Sequence, residues 1–129
     1  MYLLIDLVDK DNIHLILFNE QKTIEKNYTG QNRELLECID NMLKENDLKL
    51  ADLQGIATVI GAGGFTSTRI AVVVTNTLAY SLQIPVLATN NTNNFDFSRL
   101  SKEIQKQPKG LYITAKYSGE PNITKPKNG

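Results

Sequence analysis

Three short runs at the start of the chain have the hydrophobic pattern of β-strands. They cover residues 2–8, 13–18 and 22–28, and polar residues at 9–12 and 19–21 separate them as hairpin turns. The first run is apolar at nearly every position, which predicts a central strand with both faces covered. The third run is polar enough to lie near an edge of the sheet. The pattern therefore predicts a three-stranded antiparallel meander.

The following residues change to the period of an α-helix. A helix is predicted over residues 31–46, because the apolar residues recur at the i, i+4, i+7 and i+8 positions of one face. These residues are Leu35, Ile39, Met42 and Leu43, with Leu36 widening the face. Charged residues occupy the rest of the surface.

A fourth strand and a second long helix are predicted next. Residues 55–60 are uncharged, which is typical of a buried strand. Residues 70–82 begin with β-branched residues that favour a strand. The run nevertheless continues for more than ten positions without a turn signal, and that length favours a helix. Because this helix is apolar nearly all round, it must contact the sheet on one side and something else on the other.

The last third of the chain is more polar. A fifth strand is predicted at 84–88, a loop at 89–94, a short helix at 97–106, a further strand at 110–115 and an extended tail at 117–129. The order of elements predicts an α/β fold with a mixed five-stranded sheet, antiparallel among strands one to three and parallel among strands one, four and five, with helices on its faces. Residues 1–116 are expected to form one domain.

Composition agrees with a single small domain. The chain has 129 residues, 41% of them hydrophobic, and its apolar runs are far shorter than the roughly 20 residues that span a bilayer. The first residues lack the basic segment of a signal peptide, so a cytoplasmic protein without membrane contact is expected. The net charge is zero, but lysines are concentrated after Leu100. This basic end either contacts RNA or an acidic partner, or is simply solvated.

The residue types that most often carry chemistry are scarce. Cys38 is the single cysteine and lies within a helical pattern, where a small buried hydrophobe is the expected role. His14 is the single histidine and lies in mid-strand between Ile13 and Leu15, without a cysteine or histidine partner. We therefore expect no bound metal and no redox chemistry.

A glycine-rich turn joins the fourth strand to the second long helix. Gly61, Gly63 and Gly64 can adopt positive φ and permit close backbone approach, and Thr66 follows at an N-cap position. The turn lacks the lysine and hydroxyl pair of a P-loop, and its spacing does not match the dinucleotide fingerprint. We expect a structural elbow, held by Arg69 through strand-end carbonyls or a carboxylate. The residues assigned to it are Asp6, Gly61, Gly63, Gly64, Phe65, Thr66 and Arg69.

The turn and its surroundings resemble the TsaB (YeaZ) family, whose members support TsaD in making threonylcarbamoyladenosine at position 37 of tRNA. The resemblance covers residues 2 to 89. It rests on Ile5-Asp6-Leu7, Arg33-Glu34-Leu35-Leu36, Gly61 to Ala71 and Ile84-Pro85-Val86. The sequence departs from the family pattern at Leu7, Ala62, Gly64, Ser67 and Ala71. The family usually carries a second α/β subdomain, so we expect a shortened member that keeps the first subdomain and the tail.

The resemblance implies a ribonuclease H-like, actin-like fold and a non-catalytic role. It implies binding to a TsaD-like subunit, a TsaE-like ATPase in a larger complex, an indirect association with tRNA, and a homodimer as an alternative assembly. No cofactor of its own is expected, and a nucleotide would bind only at a partner interface. The two long helices offer more apolar surface than one sheet face covers, which predicts a helix-on-helix contact. The candidate interface residues are Leu35, Leu36, Ile39, Val73, Val74, Thr77 and Tyr80, each with the core as its alternative place.

Two other functions remain open. A small magnesium-dependent nucleotide or nucleic-acid hydrolase would need clustered carboxylates, for which Asp6, Asp9 and Asp11 are the candidates. A solvated turn is the alternative interpretation of these three residues. A regulator that occupies the TsaD surface without supporting activity is the other possibility.

Overall fold

The computed structural model describes residues 1–9, 11–30, 34–60, 65–90 and 96–110, with only the backbone described at 65 and 66. The β-strands in this part of the chain are β1 (Tyr2–Asp6), β2 (Asn12–Phe18), β3 (Thr23–Thr29), β4 (Gly55–Val59) and β5 (Val86–Thr89). The α-helices are α1 (Leu35–Glu45), α2 (Phe65–Leu82) and α3 (Phe97–Gln105), and a short 3₁₀ helix spans Leu50–Asp52.

The strands form one mixed sheet in the order β3-β2-β1-β4-β5. The pairs β1–β2 and β2–β3 are antiparallel, and the pairs β1–β4 and β4–β5 are parallel. Every residue of β1 is buried, as the apolar run at its position predicted, and β3 lies at an edge with most of its residues exposed. The predicted α/β fold with a mixed five-stranded sheet is confirmed.

Helices α1 and α2 cover the same face of the sheet. The core on this side contains Leu3 and Ile5 of β1, Leu35 and Ile39 of α1, and Leu78 of α2 among its members. A hydrogen bond of 2.5 Å between the Thr58 and Thr75 hydroxyls joins β4 to α2, and both residues are completely buried. We call this side of the sheet the two-helix face.

Helix α3 covers the opposite face, which we call the one-helix face. Leu100 and Ile104 of α3 pack with Tyr2, Leu4 and Phe18 in a second core cluster. A Cβ atom at Gly55 would collide with the side chain of Ile104, so the missing side chain lets α3 lie close to β4.

Several boundaries differ from the sequence prediction, among them the start of β5, which is at Val86 and not at residue 84. Strand β1 ends at Asp6 and not at residue 8, because the Asp6 carboxylate accepts a hydrogen bond from the Val8 amide at 2.9 Å and turns the chain locally. Helix α1 begins at Leu35, and its predicted start at 31–33 lies outside the described residues. The predicted glycine turn at 61–64, residues 111–115 of the strand predicted at 110–115, and the tail at 117–129 also lie outside them.

Helix α2 confirms the prediction that length outweighs β propensity. It runs for 18 residues in spite of its β-branched start. Its buried members include Ala71, Thr75, Leu78 and Ala79, which recur with the period of a helix that packs one side against a sheet.

Candidate functional site

Helix α2 presents apolar side chains to solvent on the side away from the sheet. Val73 is 60% exposed and Tyr80 is 68% exposed, the two highest values among the exposed large hydrophobic residues of the described chain. Ile70, Val73, Thr77 and Tyr80 follow one another at steps of three, four and three residues, so they form one line along the helix. We call these four residues the α2 stripe.

The first half of the α2 stripe borders a shallow apolar depression. It has a volume of about 250 Å³ and is lined by Arg69, Ile70, Val73 and Val74. Ile70 and Val74 are half-buried against the core, whereas Val73 and Arg69 are exposed. The depression is therefore lined by the half-buried Ile70 and Val74 and by the exposed Val73 and Arg69.

Helix α1 contributes a smaller exposed apolar area on the same face of the sheet. Leu36 is 51% exposed, but Leu35 and Ile39 are each only 1% exposed and belong to the core. Burial therefore removes Leu35 and Ile39 from the candidate surface, because their side chains point to the sheet and Leu36 points away from it. The described candidates that reach the surface are Leu36, Val73, Val74, Thr77 and Tyr80.

Asp6 and Arg69 are the two elbow residues whose side chains the structure describes, and they lie on opposite faces of the sheet. Asp6 lies on the one-helix face with Leu4, because alternate strand residues share a face. Arg69 is exposed on α2, which covers the other face. The described contacts of the Asp6 carboxylate are with Val8 and His14, and the pair with Arg69 is not among them. Gly61, Gly63 and Gly64 lie outside the described residues, as do the side chains of Phe65 and Thr66.

His14, which was predicted to lie in mid-strand, connects three strands of the sheet. His14 Nδ1 lies 3.5 Å from the Asp6 carboxylate, and His14 Nε2 contacts the Glu25 carboxylate. Asp6 and His14 are directly paired across β1 and β2, and Glu25 follows on β3. Both imidazole nitrogens therefore face carboxylates, which favours a bridging role for His14. The pairing register of the strands cannot be read from the sequence, and without it this cluster could not be recognised.

The described residues offer no evident metal centre. They contain no group of three or more histidine, cysteine, aspartate or glutamate side chains that could hold a metal ion. Asp9 and Asp11, the other predicted carboxylates, are exposed around the β1–β2 turn, and Asp11 adopts a positive φ of 58°. In the described chain Asp6, Asp9 and Asp11 therefore form no such group.

Two weakly acidic groups have raised pKa values: the hydroxyl of Tyr28 on the edge strand β3 and the thiol of Cys38 on α1. Burial raises the pKa of the Tyr28 hydroxyl, and nearby Glu45 raises it further. Burial likewise raises the pKa of the Cys38 thiol, with Glu34 and Glu37 adding to the effect. Neither group is favoured in its ionised form, so Cys38 lacks the environment of a reactive cysteine.

The family model of tRNA N6-adenosine threonylcarbamoyltransferase, TsaD, matches residues 21–118. The chain belongs to this family. The match includes α1, the predicted glycine turn and α2, and therefore the whole candidate surface. No curated protein matches the chain by sequence.

Two solved structures of YeaZ or a YeaZ-like protein resemble the chain. They are YeaZ from Pseudomonas aeruginosa and a protein described as uncharacterized with similarity to peptidase YeaZ from Pseudomonas aeruginosa. Each has a TM-score of 0.63 and 29% sequence identity over 70% of this chain. The resemblance to the TsaB (YeaZ) family and the actin-like, ribonuclease H-like fold that it implied are confirmed.

The match to these structures is partial in length. The chain spans 43% of the length of each of these two proteins. None of the described helices is both long enough and apolar enough to cross a membrane.

Proposed function

We propose that this chain is a non-catalytic scaffold subunit in the modification of tRNA to N6-threonylcarbamoyladenosine. In this proposal the exposed parts of α1 and α2 bind a TsaD-like catalytic subunit and support its activity. The observation that carries the proposal is the exposed apolar surface of Leu36, Val73 and Tyr80 on the two-helix face. Membership of the threonylcarbamoyltransferase family supplies the pathway.

The shape of the surface supports a helix-on-helix contact. The α2 stripe places apolar and aromatic side chains along one line, and the neighbouring depression can receive a side chain of a partner. Tyr80 is the strongest candidate for an anchor, because tyrosine is enriched among the interface residues that contribute most to binding. Thr77 supplies a small polar position between the apolar ones.

The proposal assigns the chemistry to the partner. Asp6 is the one buried charged side chain in the described part of the chain, and it is held by Val8 and His14. That arrangement suits a structural carboxylate better than a metal ligand. In this proposal the chain has no cofactor of its own, a nucleotide binds only at the partner interface, and a TsaE-like ATPase joins the larger complex.

Mixing the chain with a TsaD-like subunit tests the proposal. Size-exclusion chromatography with light scattering at micromolar concentration should give the summed mass of one complex. Val73→Glu should abolish the complex, because a carboxylate would be buried among apolar groups. Leu50→Glu is the matched control, since Leu50 is also an exposed hydrophobic residue but lies in the 3₁₀ helix, outside α1 and α2.

The same experiment measures the alternative assembly. A homodimer through the α2 stripe would appear as a doubled mass of the chain alone, and Val73→Glu would return it to the monomer. Two separate masses from the mixture, at concentrations where both proteins are folded, would refute the proposal.

A further inference from the structure

Helix α3 carries a line of basic side chains on its outer side. Arg99, Lys102, Lys106 and Lys109 follow at steps of three, four and three residues, and all four are exposed. At 3.6 residues per turn, Arg99, Lys102 and Lys106 lie within an arc of about 60°. Lys109 follows in the turn after the helix and is also exposed. We call these four residues the α3 basic line.

The core side of α3 is opposite the α3 basic line. Leu100 is 6% exposed and Ile104 is completely buried, and both pack on the one-helix face. The basic side chains therefore project from the outermost part of that face. The α2 stripe belongs to the other face of the sheet, so both surfaces can be occupied at once.

The charges of this line are poorly compensated. Arg99 donates to the Glu103 carboxylate at 3.0 Å, but Lys102, Lys106 and Lys109 make no ion pair within the described residues. Elsewhere, Lys26 pairs with Glu45 at 3.1 Å and Lys44 pairs with Asp40 at 3.0 Å. A chain with zero net charge thus has a local excess of positive charge on α3.

The composition of the line favours a phosphate backbone over a membrane. A helix that binds a membrane surface needs an exposed apolar face beside its basic one. The apolar side chains of α3 are instead in the core or against it, with Phe97 packing on the Phe18 ring at 4.9 Å between centroids. Lysine and arginine without such anchors are the usual residues for phosphate contacts.

We propose that the α3 basic line binds the phosphate backbone of RNA directly, and that this RNA is the tRNA substrate of the family. The choice of tRNA rests on the proposed function. The charge pattern of the α3 basic line and its position on the one-helix face are independent of the proposed function. Arg99 to Lys106 spans about 10 Å along the helix, so these side chains can contact more than one phosphate of a strand.

Salt-dependent binding of the full chain to an unmodified tRNA transcript tests this inference. The variant Lys102→Gln, Lys106→Gln, Lys109→Gln removes three contacts. The matched control is Lys22→Gln, Lys44→Gln, Lys49→Gln, which removes the same charge from other exposed positions. Each phosphate contact contributes about 0.7 to 0.9 to the slope of log affinity against log salt. Between 50 and 200 mM salt, the chain and the control should therefore lose about 20- to 40-fold more affinity than the α3 variant.

Three results would overturn the inference: no binding of the transcript, equal salt slopes for the α3 variant and its control, or tighter binding through the same lysines to phosphatidylglycerol vesicles than to tRNA. Light scattering of the α3 variant with a TsaD-like subunit separates this inference from the proposed function. If the TsaD-like subunit binds normally but the α3 variant and its control have equal salt slopes, the α3 site is refuted and the scaffold role is not. Absent TsaD binding with the expected slopes refutes the scaffold role and supports the α3 site.

Discussion

The hydroxyl pair that joins α2 to β4 gives a sharp prediction about what holds the candidate surface in place. Thr58 and Thr75 are both completely buried, and their hydroxyls are 2.5 Å apart. Thr75→Val keeps the shape of the side chain but leaves the Thr58 hydroxyl without this partner. An unsatisfied buried hydroxyl costs about 1–3 kcal/mol, so the free energy of unfolding should fall by about that amount.

The double variant should recover most of this loss. Replacing both partners by apolar groups of the same shape is nearly neutral, so Thr58→Val with Thr75→Val should cost less than about 1 kcal/mol. Thr58→Val alone should cost as much as Thr75→Val alone. The coupling energy from this double-mutant cycle is then at least about 1 kcal/mol. Its sign means that the double variant is more stable than the sum of the two single losses predicts.

Urea denaturation followed by circular dichroism measures the free energy of unfolding of the natural chain, the two single variants and the double variant. The slopes against urea should be equal, so that the midpoints report stability alone. A double variant as unstable as the sum of the single ones would refute the reasoning, because it would mean that each hydroxyl has its own separate role. The double variant should also bind a TsaD-like subunit as the natural chain does, since neither residue reaches the surface.

Three further predictions concern the core and the titrating groups. His14→Leu should lower the free energy of unfolding by about 1–3 kcal/mol, because the buried Asp6 carboxylate loses a partner. Glu25→Gln, on the exposed side of His14, should cost less than about 1 kcal/mol in the same urea experiment. Gly55→Ala should cost about 1–3 kcal/mol by overpacking against α3, and an unchanged urea midpoint would contradict the close approach. Cys38 should react with iodoacetamide more slowly in the folded chain than in urea at pH 8, because its raised pKa lowers the thiolate fraction. The same shift favours the folded state below the pKa of the unfolded thiol, and this stabilisation is lost as pH rises through the folded pKa.

The element order could be predicted from the sequence because the periods of its hydrophobic runs differ clearly. Short hydrophobic runs, alternating or continuous, predicted the strands. The length of the hydrophobic run after residue 70 predicted α2 in spite of its valines. The parallel pairing followed from the helical crossovers, since parallel neighbours need a long connection and this is usually a helix.

The outward face of each helix was harder to predict. Leu35 and Leu36 are neighbours of the same residue type, yet one is 1% exposed and the other 51% exposed. Helix α2 is apolar nearly all round, so its hydrophobic pattern does not say which valine faces solvent. Only packing against the sheet separates Val72, at 8% exposure, from Val73, at 60%.

The polar contacts could not be predicted because they depend on register. Arg69 was expected to bond either strand-end carbonyls or the Asp6 carboxylate, and the pleat puts that carboxylate on the one-helix face beside His14. A shift of one residue in the pairing would have reversed this result. The Thr58–Thr75 bond likewise joins residues that carry no signal in the sequence.

The affinity of a TsaD-like subunit for Tyr80→Ala tests the central claim most directly. Tyr80 is 68% exposed on α2, and Leu50, 38% exposed in the 3₁₀ helix, provides the control Leu50→Ala. Isothermal titration should show binding of the natural chain and of Leu50→Ala with closely similar Kd. Loss of an anchor costs about 2 kcal/mol or more, so Tyr80→Ala should bind at least about 30-fold more weakly. No binding of the natural chain, or equal effects of the two substitutions, would contradict the proposed scaffold role of the α2 stripe.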